Sequence, residues 1–420
     1  MKFLILILQI LFIQIFSVII FPFKRKIQSL NNFYEYLYQN DLISEIIIGT
    51  PEQKIEIIIK GEEHPFYISK INGLYNVNLS STYKKISNEE KEINYESFNK
   101  FFISSETFES KNHKNEIIKI NNFPFIYATN TENPSLLNSA IIGLFYKDYI
   151  TVKEIKDFNL IILLKKNNIS NNYVFSIDYN DLNKGTLYLG DNFYNFNSTF
   201  QKSNFIQINS IFQGIGYAWG NEFDYISYNN IILDDSNYKF YFNFTFPGIF
   251  GTKNFEKILL NDFFDSNLCQ KNDIEKEKFH FYICNKDFNY KKFKDLIFYH
   301  KELNTSFILT YKDLFIEEND KIYCLIVFRD YNYNTWFLGE PFIKKYKFSF
   351  DQDNRLIGFY KLIISENNNF NIFSFNFIFI IILIILCIGL TILLIRNIIN
   401  KPRKLRANEL EDNFEYITKI

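Results

Sequence analysis

Short runs of alternating apolar and polar residues recur along this chain and constrain its fold more than any other feature. An alternation with a period of two is typical of strands that bury one face. Helical periodicity is clearest in only two windows, Phe255 to Phe264 and Tyr311 to Phe315. The pattern therefore predicts an all-β domain. The strand-like runs are Leu42 to Ile48, Ile55 to Ile59, Ile117 to Ile120, Tyr173 to Ile177, Thr186 to Leu189 and Lys347 to Phe350.

The composition is consistent with a large folded core and excludes several kinds of partner. The chain has 49 Phe and 29 Tyr but only 14 Gly and 8 Pro, so wholesale disorder is excluded. Lys and Arg number 46 against 47 Asp and Glu, and this balance provides no field that would attract nucleic acid. The histidines have no metal-ligand spacing, and no P-loop is present, so we expect no metal and no cofactor.

Two long apolar runs at the ends of the chain predict its compartment. Phe3 to Ile20 follows a single Lys2, as in a secretory signal peptide. The run is long and has no clear small-residue cleavage site, so an uncleaved signal anchor is the alternative. Phe377 to Ile395 has no charged residue and would rise about 28 Å as a helix, enough to cross a bilayer. Basic residues follow it directly, which places the C-terminus in the cytoplasm. We predict a single-pass type I membrane protein with its main domain luminal or extracellular.

The main domain has sequence features of the secretory pathway. The sequons at Asn78, Asn168, Asn197 and Asn304 predict N-glycosylation. A fifth sequon begins at Asn243.

The cysteines leave their pairing open. Cys269, Cys284 and Cys324 precede the C-terminal apolar run, and Cys387 lies inside it. Three cysteines on the luminal side allow one bridge and a spare thiol, or an intermolecular bridge.

Five sequence blocks occur in a fixed order along the main domain. Asp41 to Gln53 ends in Ile-Gly-Thr-Pro-Glu-Gln, and Asn78 to Tyr83 contains Ser-Ser-Thr-Tyr. Two further blocks are Ser139 to Leu144 and Phe175 to Gly190, and the last is Trp336 to Phe342, Trp-Phe-Leu-Gly-Glu-Pro-Phe. In this order the blocks resemble those of the pepsin-like (A1) aspartic proteases, and Trp336 to Phe342 is the strongest similarity.

The resemblance implies two β-barrel-like lobes with a central cleft, here residues 41–200 and 201–361. It also implies a short leader at 21–40, after a signal segment at 1–20. The remaining divisions that we expect are a stalk at 362–374, a transmembrane helix at 375–395 and a cytoplasmic tail at 396–420. In the family each lobe supplies one catalytic Asp, and the two carboxylates activate a water for peptide hydrolysis.

In the first lobe, the resemblance places Lys60 at the position of the first catalytic Asp. The family's Asp lies seven residues after the Gln of the Thr-Pro-x-Gln turn, which is Gln53 here. Lys60 is a cation at neutral and acid pH and cannot accept the proton of the water. Glu62 or Glu63 would be a substitute acid if it reached the cleft, but a solvated loop is the more common role of such residues.

In the second lobe, Gly251 and the preceding strand place Asn243 at the second catalytic position. An amide keeps the shape of the carboxylate but has no ionisable oxygen. Asp234 and Asp235 precede this strand and are typical of its turn. Both catalytic aspartates are therefore missing at the matched positions.

Other family features are partly retained. Tyr95 matches the family's flap tyrosine but lacks the glycines that follow it, and a buried strand aromatic explains it equally well. Gly143 and Gly339 match glycines that pass close to the backbone behind the catalytic loops. The family's second-lobe disulfide would pair Cys284 with Cys324.

Three hypotheses follow for the function. The first is a membrane-anchored, inactive homologue whose cleft binds a peptide or protein. The second is an active endopeptidase that uses acids outside the matched positions. The third is a structural surface glycoprotein whose cleft has no ligand.

Overall fold

A computed structural model gives the fold of the main domain. It describes residues 18–360 except 62–64, 71–74, 94–97, 131–139, 145–154, 212–218, 234–237, 275–278 and 330–334. The chain divides into two compact units, Met1–Leu362 and Ile363–Ile420, and every described residue belongs to the first. Within these described ranges, no helix has both the length and the apolar character needed to cross a bilayer.

Strands dominate the described residues, as the alternating runs predict. Those of the N-terminal half are β1 (Ile19–Arg25), β2 (Leu42–Ile48), β3 (Gln53–Lys60), β4 (Tyr67–Ser69), β5 (Lys84–Lys85), β6 (Lys91–Glu92), β7 (Lys100–Asn112), β8 (Ile117–Asn130), β9 (Ala140–Gly143), β10 (Val174–Tyr179), β11 (Lys184–Leu189) and β12 (Phe205–Asn209). Those of the C-terminal half are β13 (Gly220–Glu222), β14 (Tyr225–Tyr228), β15 (Ile231–Ile232), β16 (Lys239–Phe242), β17 (Ile249–Gly251), β18 (Cys269–Ile274), β19 (Phe279–Asn285), β20 (Leu296–His300), β21 (Thr305–Leu309), β22 (Phe315–Glu318), β23 (Lys321–Arg329), β24 (Trp336–Leu338), β25 (Ser349–Asp351) and β26 (Leu356–Tyr360).

The helices are short and lie between strands. They are α1 (Phe33–Tyr38), α2 (Leu160–Lys166), α3 (Phe193–Phe196), α4 (Lys253–Asp262), α5 (Tyr311–Leu314) and α6 (Glu340–Tyr346). Single 3₁₀ turns occur at Val77–Leu79, Lys156–Phe158, Lys202–Asn204 and Tyr290–Lys292.

The strands form three sheets that largely follow the two predicted lobes. A 14-stranded sheet has the order β12-β26-β25-β10-β11-β1-β2-β3-β9-β4-β8-β7-β5, with β6 on β7. The second sheet has the order β13-β16-β24-β17-β23-β19-β18, with β22 on β23, and the third is β15-β14-β20-β21. The C-terminal strands β25 and β26 thus join the first sheet and tie the end of the domain to its beginning.

Period-two patterning explains how β2 and β3 pack. The two strands pair antiparallel from Leu42–Ile59 to Ile48–Gln53. Ile46, Ile57 and Ile59 are almost completely buried in the largest apolar cluster of the domain. At the end of this hairpin, β3 runs parallel to β9, and Lys60 lies beside Gly143. This parallel pairing with β9 fixes the position of the chain that follows β3.

Residues 21–40, expected as a leader, contain part of β1 and helix α1, and the expected boundary at residue 20 falls inside β1. Strand β1 lies against β11 from Ile19 to Lys24 and also contacts β2 and β7, so this segment packs with the main domain. Its role as a leader stays a prediction. Helix α1 packs its buried Phe33 against Phe281 and Tyr323 of the second sheet. Burial alternates along Ile19–Arg25. The sequence of this strand partly follows the alternation, but its first residues also belong to the apolar run that resembles a signal peptide.

Candidate functional site

The first matched position lies at the end of β3. Lys60 accepts a hydrogen bond at its carbonyl oxygen from the Leu144 N–H, 2.9 Å away. Its Nζ donates to Oδ1 of Asp41, and both side chains are 23% exposed. The strand register explains this ion pair. Leu42 lies opposite Ile59, so Asp41, which precedes Leu42, lies opposite Lys60, which follows Ile59. The structure thus places an ammonium–carboxylate pair at this position.

The second matched position directly follows β16. The Asn243 N–H donates to the Leu338 carbonyl oxygen at 3.0 Å, which continues the parallel pairing of β16 with β24. The half-buried Asn243 side chain accepts a hydrogen bond from Thr245 Oγ1 at 3.4 Å. The arrangement mirrors that of Lys60, since in both halves the strand end is held by a parallel neighbour.

The two loops meet at Gly61 and Phe244. A Cβ added to Gly61 would lie 3.3 Å from Cδ2 of Phe244, so only hydrogen fits comfortably there. Phe244 is buried and packs on Phe175 and Phe350, with ring centroids 5.3 and 4.7 Å away. The hydroxyl of Tyr179 donates to the Phe244 carbonyl oxygen. The loop carrying Asn243 is therefore fixed by an aromatic core.

A buried ion pair beneath the second loop is absent from the sequence expectations. Arg25 and Glu340 are both 0% exposed and form a salt bridge. Arg25 Nη1 also donates to the Thr245 carbonyl oxygen at 2.8 Å, and Nε donates to Leu182 O at 3.0 Å. Burial raises the pKa of Glu340 to about 7, although the Arg25 guanidinium opposes this shift. Arg25 thus connects β1, the second loop and α6.

Gly339 confirms the close backbone approach that the resemblance implies. A Cβ at this residue would overlap the carbonyl oxygens of Gly248 and Phe246. The Glu340 N–H donates to the same Phe246 carbonyl oxygen at 2.8 Å. Only glycine allows α6 to start this close to the loop that follows Asn243.

Comparison with known proteins identifies the family. The model of the family "Eukaryotic aspartyl protease" matches residues 41–362. The chain belongs to this family. Among solved structures, the crystal structure of Basic 7S globulin from soybean matches with a TM-score of 0.60. The match has 10% sequence identity and covers 82% of this chain and 95% of the globulin, which shows a shared fold. Comparison with curated proteins finds no match.

The pairing of Cys284 with Cys324, expected from the aspartic protease family, is wrong. The bridge joins Cys269 and Cys284, and Cys324 is a buried free thiol. The cause is register. Cys269 lies directly opposite Cys284 in the β18–β19 pair, whereas on β23 the residue opposite Cys284 is Ile322. Burial raises the pKa of the Cys324 thiol to about 12, so it stays protonated.

This pairing gives a stability prediction. Cys269→Ser opens a loop of sequence separation 15, and we expect it to reduce the free energy of unfolding by about 3 kcal/mol. Cys324→Ala retains the bridge. Urea unfolding measures the first effect, and non-reducing peptide mapping measures the second. A linked peptide pair containing Cys284 and Cys324 in the native protein would contradict the assignment.

The predicted glycosylation sites differ in exposure. Asn78, Asn168 and Asn304 are exposed, as an acceptor asparagine requires. Asn197 is half-buried, and its Oδ1 accepts hydrogen bonds from the Thr199 N–H and Oγ1. Whether any of them carries a glycan stays a prediction.

The remaining expected site residues and segments lie outside the described residues. They are the substitute acids Glu62, Glu63, Asp234 and Asp235, the flap candidate Tyr95, residues 1–17 of the signal segment, the stalk, the transmembrane segment and the tail.

Proposed function

We propose that this chain is a catalytically inactive, membrane-anchored homologue of aspartic endopeptidases whose interlobe cleft binds a peptide or protein. The observation that carries the proposal is the Lys60–Asp41 ion pair at the first matched catalytic position. With Lys60 in place, the nearby carboxylate of Asp41 is neutralised by an ammonium group. Asn243 at the second position cannot ionise.

The chemistry of peptide hydrolysis in this family explains why the pair matters. One carboxylate must accept the proton of the water while the other, protonated, polarises the carbonyl group. A cation and an amide do neither. The close approach of Gly61 to Phe244, the residues that directly follow Lys60 and Asn243, supports matching Lys60 and Asn243 to the two catalytic positions.

A binding role is supported by what the chain retains. Gly339 and the parallel strand pairs β3–β9 and β16–β24 hold both loops in place, although Lys60 and Asn243 lack the catalytic groups. A cleft with fixed walls and no hydrolysis would hold a peptide without cutting it. Attachment to a membrane through residues 375–395 rests on the length and apolar character of that segment.

Activity measurements test the proposal. We expect the native chain, incubated with a mixed peptide pool from pH 3 to 7, to cleave no more than a heat-inactivated sample. The variant Lys60→Asp/Asn243→Asp should gain cleavage that pepstatin blocks. Because Lys60→Asp leaves Asp41 beside a like charge, a triple variant that adds Asp41→Asn should cleave better than the double variant.

A matched control separates restored chemistry from a change of net charge. Lys54→Asp/Asn304→Asp makes the same two exchanges at exposed positions and should stay inactive. If the native chain cleaves peptides and pepstatin blocks it, the proposal fails and the chain is an active endopeptidase. The search for its acids would then begin with Glu62, Glu63, Asp234 and Asp235.

A further inference from the structure

Strand β18 forms an open edge of the second sheet. In the three sheets of the described residues, β19 is its only neighbour, on one side. A groove of about 930 Å³ lies along residues 268–272 and includes Leu260 of α4 in its wall. Gln270, Lys271 and Asp273 are exposed, so this edge is accessible. Unpaired strand edges are templates for pairing with another strand.

The hydrogen-bond register shows which backbone groups point outward from β18. The Asn285 N–H donates to the Leu268 carbonyl oxygen at 2.9 Å, so residues 268, 270 and 272 face β19. The alternate residues must direct their N–H and C=O groups away from β19. Cys269 fits this alternation, because its N–H donates to the Asp265 carbonyl oxygen at 2.8 Å and not to β19. Lys271 and Asp273 therefore present their backbone groups to the open side.

The same two residues carry opposite charges on one face of the strand. Lys271 Nζ lies 3.0 Å from Asp273 Oδ1, and the side chains are 42% and 59% exposed. An antiparallel copy of the strand, centred on Asn272, would place each Lys271 opposite Asp273 of the other copy. The backbone groups match as well. In an antiparallel pair, two directly opposed residues either both direct their N–H and C=O groups toward the other strand or both direct them away. Lys271 and Asp273 both direct these groups toward the second copy.

We propose that β18 pairs antiparallel with β18 of a second copy of this chain, about a two-fold axis at Asn272. Residues 271 and 273 form hydrogen-bonded pairs across the axis, and the two Asn272 residues face each other in a non-hydrogen-bonded pair. Each Lys271 forms an ion pair with Asp273 of the second copy. The second sheets of the two copies then become one continuous sheet. The self-complementary charge pattern favours a second copy over an unrelated peptide.

A charge-exchange series tests this interface. The dimer dissociation constant of the full chain in mild detergent is measured by sedimentation velocity at several concentrations. Lys271→Asp and Asp273→Lys each place like charges opposite one another and should weaken dimerisation about tenfold or more. The double variant Lys271→Asp/Asp273→Lys restores opposite charges and should dimerise within about threefold of the native chain. Lys321→Asp, in the same groove but on β23, should have no effect.

Cross-linking tests the register independently. Asn272→Cys places two thiols opposite each other at the axis, and mild oxidation should give a covalent dimer on a non-reducing gel. Gln270→Cys is the matched control, because its two copies would lie about 13 Å apart and should not link. A native chain that stays monomeric at the highest concentration reached overturns the proposal. Equal cross-linking of both variants, or a double variant as weak as the single ones, overturns it too.

Discussion

Replacing Arg25 by Met is expected to reduce the free energy of unfolding by about 3–5 kcal/mol, because it leaves the carboxylate of Glu340 buried without its cation. Both side chains are 0% exposed, so water cannot replace the lost partner. The substitution also removes the hydrogen bond from Nη1 to the Thr245 carbonyl oxygen, which fixes the loop after Asn243. Equilibrium unfolding in urea measures the effect.

The loss caused by Arg25→Met should grow as the pH rises above about 7. Arg25 lowers the pKa of Glu340, which burial holds at about 7, so its removal moves this pKa further up. The unfolded chain releases the same proton near pH 4.3. The folded state therefore binds the extra proton above that pH, and its stability falls by about 1.4 kcal/mol per pH unit until the folded pKa is reached. The native chain shares this fall up to about pH 7, and above that pH only the variant continues to lose stability. We therefore expect the loss caused by Arg25→Met to stay nearly constant between pH 5 and 7 and to be larger at pH 8.

Two variants separate a buried charge from a general packing defect. Arg25→Met/Glu340→Met removes both charges and should lie within about 1 kcal/mol of the native chain, with no added pH dependence. Lys54→Met breaks the exposed pair with Glu45 and should cost less than about 1 kcal/mol. If the single and double Arg25 variants are equally unstable at every pH, the electrostatic explanation is wrong.

Restoring the family residue at Phe244 is expected to destabilise this chain. The resemblance matches Asn243-Phe244-Thr245 to Asp-Thr-Gly, so Phe244→Thr reinstates the central threonine. Phe244 is 1% exposed and packs on Phe175 and Phe350. Removing this ring should cost about 3–4 kcal/mol, because a cavity remains and the new hydroxyl lies among apolar rings. Urea unfolding measures the loss.

Phe244→Leu is the matched control for this substitution. It keeps most of the apolar volume and should cost no more than about 1.5 kcal/mol. Equal stability of the Thr and Leu variants would mean that neither the lost apolar volume nor the buried hydroxyl is costly at this site, which would contradict the explanation. The expected difference implies that the loop has adapted to an apolar filling, so a regained protease activity is better sought with Phe244 retained.

Local patterning predicts much of the fold. The run from Leu42 to Ile48 is strand β2, and the window Phe255 to Phe264 overlaps helix α4. Alternation reports burial of one face, and that property depends only on neighbouring residues. The Trp-Phe-Leu-Gly motif likewise identifies Gly339, since close packing of backbone leaves only one residue type. Both signals are local in the chain.

Features that depend on distant partners were not predictable in this way. The family-based pairing of Cys284 with Cys324 fails because the β18–β19 register places Cys269 opposite Cys284. Arg25 is separated from Glu340 by 315 residues, and no local pattern connects them. The partner of Lys60 is an exception, because the antiparallel register that pairs Leu42 with Ile59 also places Asp41 opposite Lys60.

The position of β1 has a consequence for biosynthesis. This strand leaves the ribosome early, but its neighbour β11 ends at Leu189 and the counter-ion of Arg25 is Glu340. At ordinary rates of translation, on the order of half a minute separates the synthesis of Arg25 from that of Glu340. The strand gains its neighbours β2, β7 and β11 once Leu189 has been made, but Arg25 has no counter-ion until Glu340 follows. The charged end of β1 therefore reaches its buried position only late in synthesis.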